Sequence, residues 1–184
     1  MCGNSWNGFL RTIIMDLDEA IAVLEAQCVN PCSGLPEEIF LLLGRLTPMV
    51  NVDLLIRDGA DRTLLTWRDD IYHGAGWHIP GGVIRFKETA AERIAAVARL
   101  ELNCDLTVED CPTALNECIS ETQRNRGHAV SLLYRCTLTS PPSKALKYTE
   151  GEPQPGMFRY FDRAPENLLK VHHMYRKYIG PQSR

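Results

Sequence analysis

The stretch GWHIPGGVIRFKETAAERIAAVARLELN, residues 76–103, carries one acidic side chain in an unexpected place. On a wheel of 100° per residue counted from Ala90, Ile94, Val97, Ala98 and Leu102 form an apolar stripe, and Glu101 falls inside it at about 20°. Glu88, Glu92 and Arg99 gather on the opposite side, where solvent is expected. Glu101 also sits near the helix C-terminus, where the macrodipole disfavours an anion. A carboxylate directed at apolar neighbours needs a cation, a metal ion or hydrogen-bond donors. The alternative is a frayed last turn that lets Glu101 swing into water.

The elements around this helix must position it. MDLDEAIAVLEAQ puts Leu17, Ala20, Ile21 and Leu24 on one helical face, and PEEIFLLLGRL restarts a helix with Pro36 at its first position. TPMVNVDLLI alternates as a strand, with Val50, Val52, Leu54 and Ile56 on one face and Asn51 and Asp53 on the other. RDGADR is a turn, TLLTWRDD the returning strand and WHIP a short strand stopped by Pro80. After the helix, DLTV and ALNECISE read as short strands, and HAVSLLYRCTLT is the most strand-like run in the chain. The Pro- and Gly-rich segment 140–156 is a long loop, of a length that is usually functional or disordered. MFRYF is a strand, and APENLLKVHHMYRKYI a closing amphipathic helix started by Pro165. Strands on both sides of a central helix, with another helix at the end, predict an α/β/α sandwich with a mixed β-sheet. Residues 15–46 form an N-terminal helical extension, 47–180 the main domain, and 1–14 a leader outside both.

With 184 residues, a net charge of −3 and a pI near 6.0, the chain can bury a real core and has no basic field to attract nucleic acid. No apolar run is long enough to span a membrane. The seven cysteines are scattered without a paired CxxC framework, which argues against structural zinc and for a reducing cytoplasmic setting.

The Gly76–Asn103 stretch resembles the signature of the Nudix hydrolases: Gly82, five residues, then Glu88. Seven residues further the match thins. The Arg position is Ala96, the next Glu position Val97, the Glu-Glu pair Leu100-Glu101 and the Gly position Asn103. Of the helix carboxylates that hold magnesium in that family, only Glu101 survives. This pattern resembles the divergent branch of the GDP-mannose mannosyl hydrolases. TPMVNVDLLIRD with Asp53, LLTWRDD with Arg68, and GEPQPGMFRYF with Gln154 also resemble that branch, over roughly residues 47–179. Departures accompany the likeness: Val83 stands where that branch has Arg, and Pro155 where it has the His proposed as base.

The resemblance implies a Nudix-like fold and a metal-dependent hydrolase of a nucleoside-diphosphate-linked small molecule, a nucleotide-sugar above all. Mg²⁺ or Mn²⁺ would be held by Glu101, the Gly81 carbonyl and Gln154. Arg68 would grip diphosphate, unless it merely pairs with Asp69 or Asp70. Asp53 would orient sugar hydroxyls or a nucleophile, or face solvent. Arg85 and Lys87 could replace the absent Arg at position 83. The base is open among His128, His73, Glu150 and Glu152. Arg124 and Arg126 could reach an acidic substrate or belong to a solvated turn. Fewer metal ligands favour cleavage at the sugar carbon over attack at phosphorus. Two alternatives stay open: a pyrophosphohydrolase, and an inactive module that binds nucleotide or partner. Related proteins of the branch imply a homodimer.

Overall fold

The computed structural model describes residues 16–181. The leader read at 1–14 lies outside them. Two helices come first, α1 (Leu17–Gln27) and α2 (Glu37–Leu46). Asp16 caps α1 through a capping box with Glu19. Pro36 is the N-cap of α2 rather than its first residue. No residue of α1 is buried, and Leu17, Ile21, Val23 and Leu24 are exposed. The α2 helix is anchored: Arg45 donates to Asn125 Oδ1 at 2.8 Å, and Glu37 accepts from the Tyr72 hydroxyl at 3.0 Å.

Among the described residues eight strands make two sheets. The first is mixed. β1 (Met49–Ile56) runs parallel to β7 (His128–Leu138) and antiparallel to β4 (Gly81–Val83). β5 (Leu106–Val108) and β6 (Ala114–Ile119) pair with opposite halves of β7. The second sheet is antiparallel, in the order β3 (Gly74–His78), β2 (Thr63–Asp70), β8 (Phe158–Phe161). The expected α/β fold with a mixed sheet is the one observed.

β1 is buried on both faces, which is why its run is so apolar. Val52, Leu54 and Ile56 pack with Ile94, Val97, Ala98 and Leu102 of the central helix. Leu55 faces the other way, into a cluster with Leu65, Ile79, Leu133 and Tyr175.

The central helix α3 (Ala90–Val97) starts in a capping box of Thr89 and Glu92. It then widens into a single π turn, Ala98–Leu102, which Asn103 closes in the left-handed conformation at φ 49°. Asn tolerates that region better than other non-glycine residues, so it can stand at the signature's Gly position. Glu88 is not a solvent-side residue as expected. It accepts from the Arg93 guanidinium at 2.8 Å and from the Arg85 N–H at 2.8 Å, and Arg93 is buried.

The closing helix differs from expectation. Pro165 does not start it, and it is a 3₁₀ helix confined to Lys170–Tyr178. Residues 167–169 are taken by the edge of β3: Trp77 N–H donates to the Asn167 carbonyl and Leu169 N–H to the Trp77 carbonyl. The side chains His172, Tyr175 and Tyr178 recur every third residue and meet ring edge to ring face or tilted, matching a three-residue turn. No helix among the described residues is long and apolar enough to cross a membrane.

Candidate functional site

The π turn sets Glu101 half-buried at the rim of a 260 Å³ cavity whose walls include Thr66, Arg68, Asp70, His78 and Gly156. Such turns occur disproportionately at functional sites. Leu100, the other member of the signature's acidic pair, points outward at 74% exposure. Thr66 Oγ1 lies 3.4 Å from Glu101 Oε2 and 3.0 Å from His78 Nε2. Burial pushes the Glu101 carboxyl up from 4.5 to about 7; Arg68, Thr66 and the Gly81 N–H pull the other way and do not prevail. Burial likewise holds His78 well below its ordinary value, so its ring is neutral. The Ile79 carbonyl, 2.8 Å from His78 Nδ1, fixes the proton on that nitrogen.

Arg68 both lines the cavity and pairs with Asp70, Nε to Oδ2 at 3.4 Å. Asp70 is further held by the Tyr72 and His73 N–H groups, each at 2.8 Å, and its pKa is lowered by those bonds and by Arg68 despite the opposing effect of burial. Arg68 therefore faces Glu101 without being consumed by it.

Asp53 lies elsewhere. Its carboxylate is 4% exposed, so it does not face solvent, and Asp53 does not line the cavity that holds Glu101. It accepts from the Ser131 hydroxyl and, at 2.7 Å, from the Tyr175 hydroxyl, tying β1 to β7 and to the closing helix. Gly81 separates the two acids. A Cβ there would collide with Asp53 Oδ1 and sit 2.6 Å from the Val52 carbonyl oxygen. On its other side Gly81 offers Glu101 its N–H. Behind this pair, the Ile79 N–H donates to His172 Nδ1 at 3.0 Å, and burial pushes the His172 pKa down to about 4.

The remaining expected residues scatter. Gln154 and Glu152 are exposed, and the Gln154 amide folds back on the Glu152 carbonyl at 3.3 Å; their neighbours Pro155 and Gly156 form the cavity wall. Arg85 lies against Gly34 in the α1–α2 linker, and Lys87 is exposed over the Phe86 ring. His128 and His73 line a different, 830 Å³ cavity. Sequence reasoning passed over Thr66 and His78. Their only signal was a polar residue in each of two apolar strands that meet in register, Thr66 opposite His78.

No family model matches the chain. Over 83 residues it is 31% identical to the low-salt glycan biosynthesis protein Agl8 of Haloferax volcanii, covering 45% of this chain; the match spans about half the length of that relative, 53%. Among solved structures it is similar to a MutT Nudix hydrolase from Burkholderia pseudomallei, with 19% identity, coverage of 70% of this chain and 95% of that one, and a TM-score of 0.54. A possible asymmetric diadenosine tetraphosphate hydrolase from Jonesia denitrificans gives 18%, 72%, 92% and 0.54 in the same order. The fold is that of the Nudix hydrolases, as the sequence signature implied.

Proposed function

We propose that the protein is a metal-dependent Nudix hydrolase of a nucleoside-diphosphate-linked substrate, most plainly a nucleotide-sugar cut at the sugar carbon. One observation carries this reading. A half-buried carboxylate, Glu101, faces a cavity beside Arg68, and burial pushes its pKa up to about 7. Among the described residues no three His, Cys, Asp or Glu side chains form a ready-made metal centre. Magnesium commonly binds through one or two carboxylates and completes its shell with water and substrate phosphate, and this donor set fits such an ion. When bound, Mg²⁺ or Mn²⁺ neutralises charge on the diphosphate. Glu101 would hold the ion and Arg68 would grip phosphate oxygens, while the Gly81 N–H orients the Glu101 carboxylate and Thr66, its proton committed to His78, shapes the wall beside it with Pro155 and Gly156.

One such carboxylate suits departure of an intact nucleoside diphosphate better than attack at phosphorus, which calls on several acids. Water then bonds to the anomeric carbon as the bond from that carbon to the phosphate oxygen breaks, the bonding pair leaving on the diphosphate and the water's proton passing to solvent. Asp69 and Asp70 on the same wall support the alternative, attack at phosphorus. Hydrolysis in ¹⁸O-labelled water decides: label in the free sugar supports the first, label in phosphate the second. Binding without turnover across nucleotide-sugars and both metals would leave only a nucleotide-binding module. We also propose a homodimer that covers the apolar face of α1; a monomeric mass in sedimentation velocity would remove it.

A further inference from the structure

The turn from Asp70 to His73 stands between two concavities. The one that holds Glu101 measures 260 Å³, below the roughly 300–1,000 Å³ of ordinary small-molecule pockets. It has room for a diphosphate and little more. The other measures 830 Å³ and opens among the N-terminal ends of β1 and β7, β6 and the closing helix.

Two features of the larger cavity point to its ligand. Arg126, half-buried, stands with its guanidinium 5.8 Å from the Phe40 ring and 5.4 Å from the Tyr72 ring. Among the described residues no carboxylate forms an ion pair with it. Burial and nearby Arg68 push its pKa down, against the smaller opposing pull of Asp70 and Tyr72. Asn51 and His128 line the same cavity, and their buried Oδ1 and Nε2 atoms have no hydrogen-bond partner. A buried amide oxygen left unpaired calls for an N–H donor. A nucleobase joined to phosphate supplies both, an N–H edge for Asn51 and an anion for Arg126. A sugar that carries hydroxyls alone offers no N–H donor.

We propose that the larger cavity takes the nucleoside half of the substrate, with Arg126 gripping the phosphate next to it and Asn51 reading a donor edge of the base. This rests on the nucleotide-hydrolase reading above. The scissile bond stays in the smaller cavity with Glu101 and Arg68. The N-terminal extension thereby becomes part of the binding site, because Phe40 of α2 holds Arg126 and Glu37 holds Tyr72.

Titration calorimetry of the full chain in EDTA tests this, with GDP, ADP and UDP as probes and mannose 1-phosphate as the sugar control. At least one nucleoside diphosphate binds the wild type without metal. Arg126→Gln and Asn51→Leu each weaken it about tenfold or more, and Arg126→Lys weakens it less. A thermal melt identifies any variant that fails to fold, in which case Phe40→Ala replaces it with the same expected loss. The proposal is overturned if no nucleoside diphosphate binds the wild type, if folded Arg126 and Asn51 variants bind it normally, or if they weaken only the sugar phosphate. Binding that follows this pattern without any hydrolysis would sink the hydrolase reading alone; hydrolysis with KM unchanged in Arg126→Gln would sink this one alone.

Discussion

Two carboxylates lie on either side of Gly81 and meet opposite fates. Asp53 is enclosed, yet two hydroxyls donate to it. Glu101 is half-buried, yet its single hydroxyl partner is long, 3.4 Å, and its pKa is driven up to about 7. The better-buried acid is the better-satisfied one. Burial alone does not make a carboxylate functional; unmet demand for positive charge at a cavity wall does. Asp53 belongs to the framework, and Glu101 keeps an open valence.

Breaking the Asp53 side should have the largest effect. Asp53→Ala strands the Ser131 and Tyr175 hydroxyls in the core and should cost about 3–5 kcal/mol in urea unfolding. A loss under about 1 kcal/mol would show that the network holds nothing. Glu101→Gln should do the reverse. It should lower hydrolysis about 100-fold or more, since metal-based charge stabilisation is worth several kcal/mol, while leaving the fold intact.

Glu101→Gln should also raise the stability of the metal-free protein. The folded carboxyl titrates near 7 against 4.5 in the unfolded chain. Its proton therefore favours the fold most at low pH, and that support fades as pH rises from 4.5 through 7. At pH 8 the variant should gain at most about 3 kcal/mol over wild type, and near nothing at pH 4. His172 runs the other way: neutral in the fold, it loses stability as pH falls from 6.5 towards 4, and this acid limb should persist in Glu101→Gln. Mg²⁺ should raise the melting temperature of wild type and not of the variant.

Smaller effects sharpen the contrast. Tyr175→Phe removes one of two donors to Asp53 and should cost about 1–2 kcal/mol without altering the metal response. Thr66→Val strands the buried His78 Nε2, should likewise cost about 1–2 kcal/mol, and should weaken the metal response instead. If the two variants traded phenotypes, the division between the acids would fail.

Much of this was legible beforehand because it depended on spacing along single elements. The stripe of Ile94, Val97, Ala98 and Leu102 is buried as the wheel implied, and Glu101 stands among them at a cavity rim. The alternation of β1 assigned Val52, Leu54 and Ile56 to one face correctly. What failed had long-range causes. The π turn brings Glu101 against Thr66 of β2 and the Gly81 N–H of β4, partners far away in the chain. The 3₁₀ helix starts late because β3 captures 167–169. Arg93, which anchors Glu88 from inside the fold, is invisible to a signature that looks for its arginine at position 96.

The order of elements, the inward aim of Glu101 and the resemblance to a known hydrolase fold are written in the residues alone, because periodicity and turn chemistry are local properties. Which acid is satisfied emerges from the packing of distant segments. Asp53 and Glu101 are 48 residues apart in the chain, and their donors, Ser131, Tyr175 and Thr66, come from three other segments. Whether a carboxylate finds a proton donor, a guanidinium or a space for an ion depends on which strands lie side by side, and that is settled by burying both faces of β1 at once.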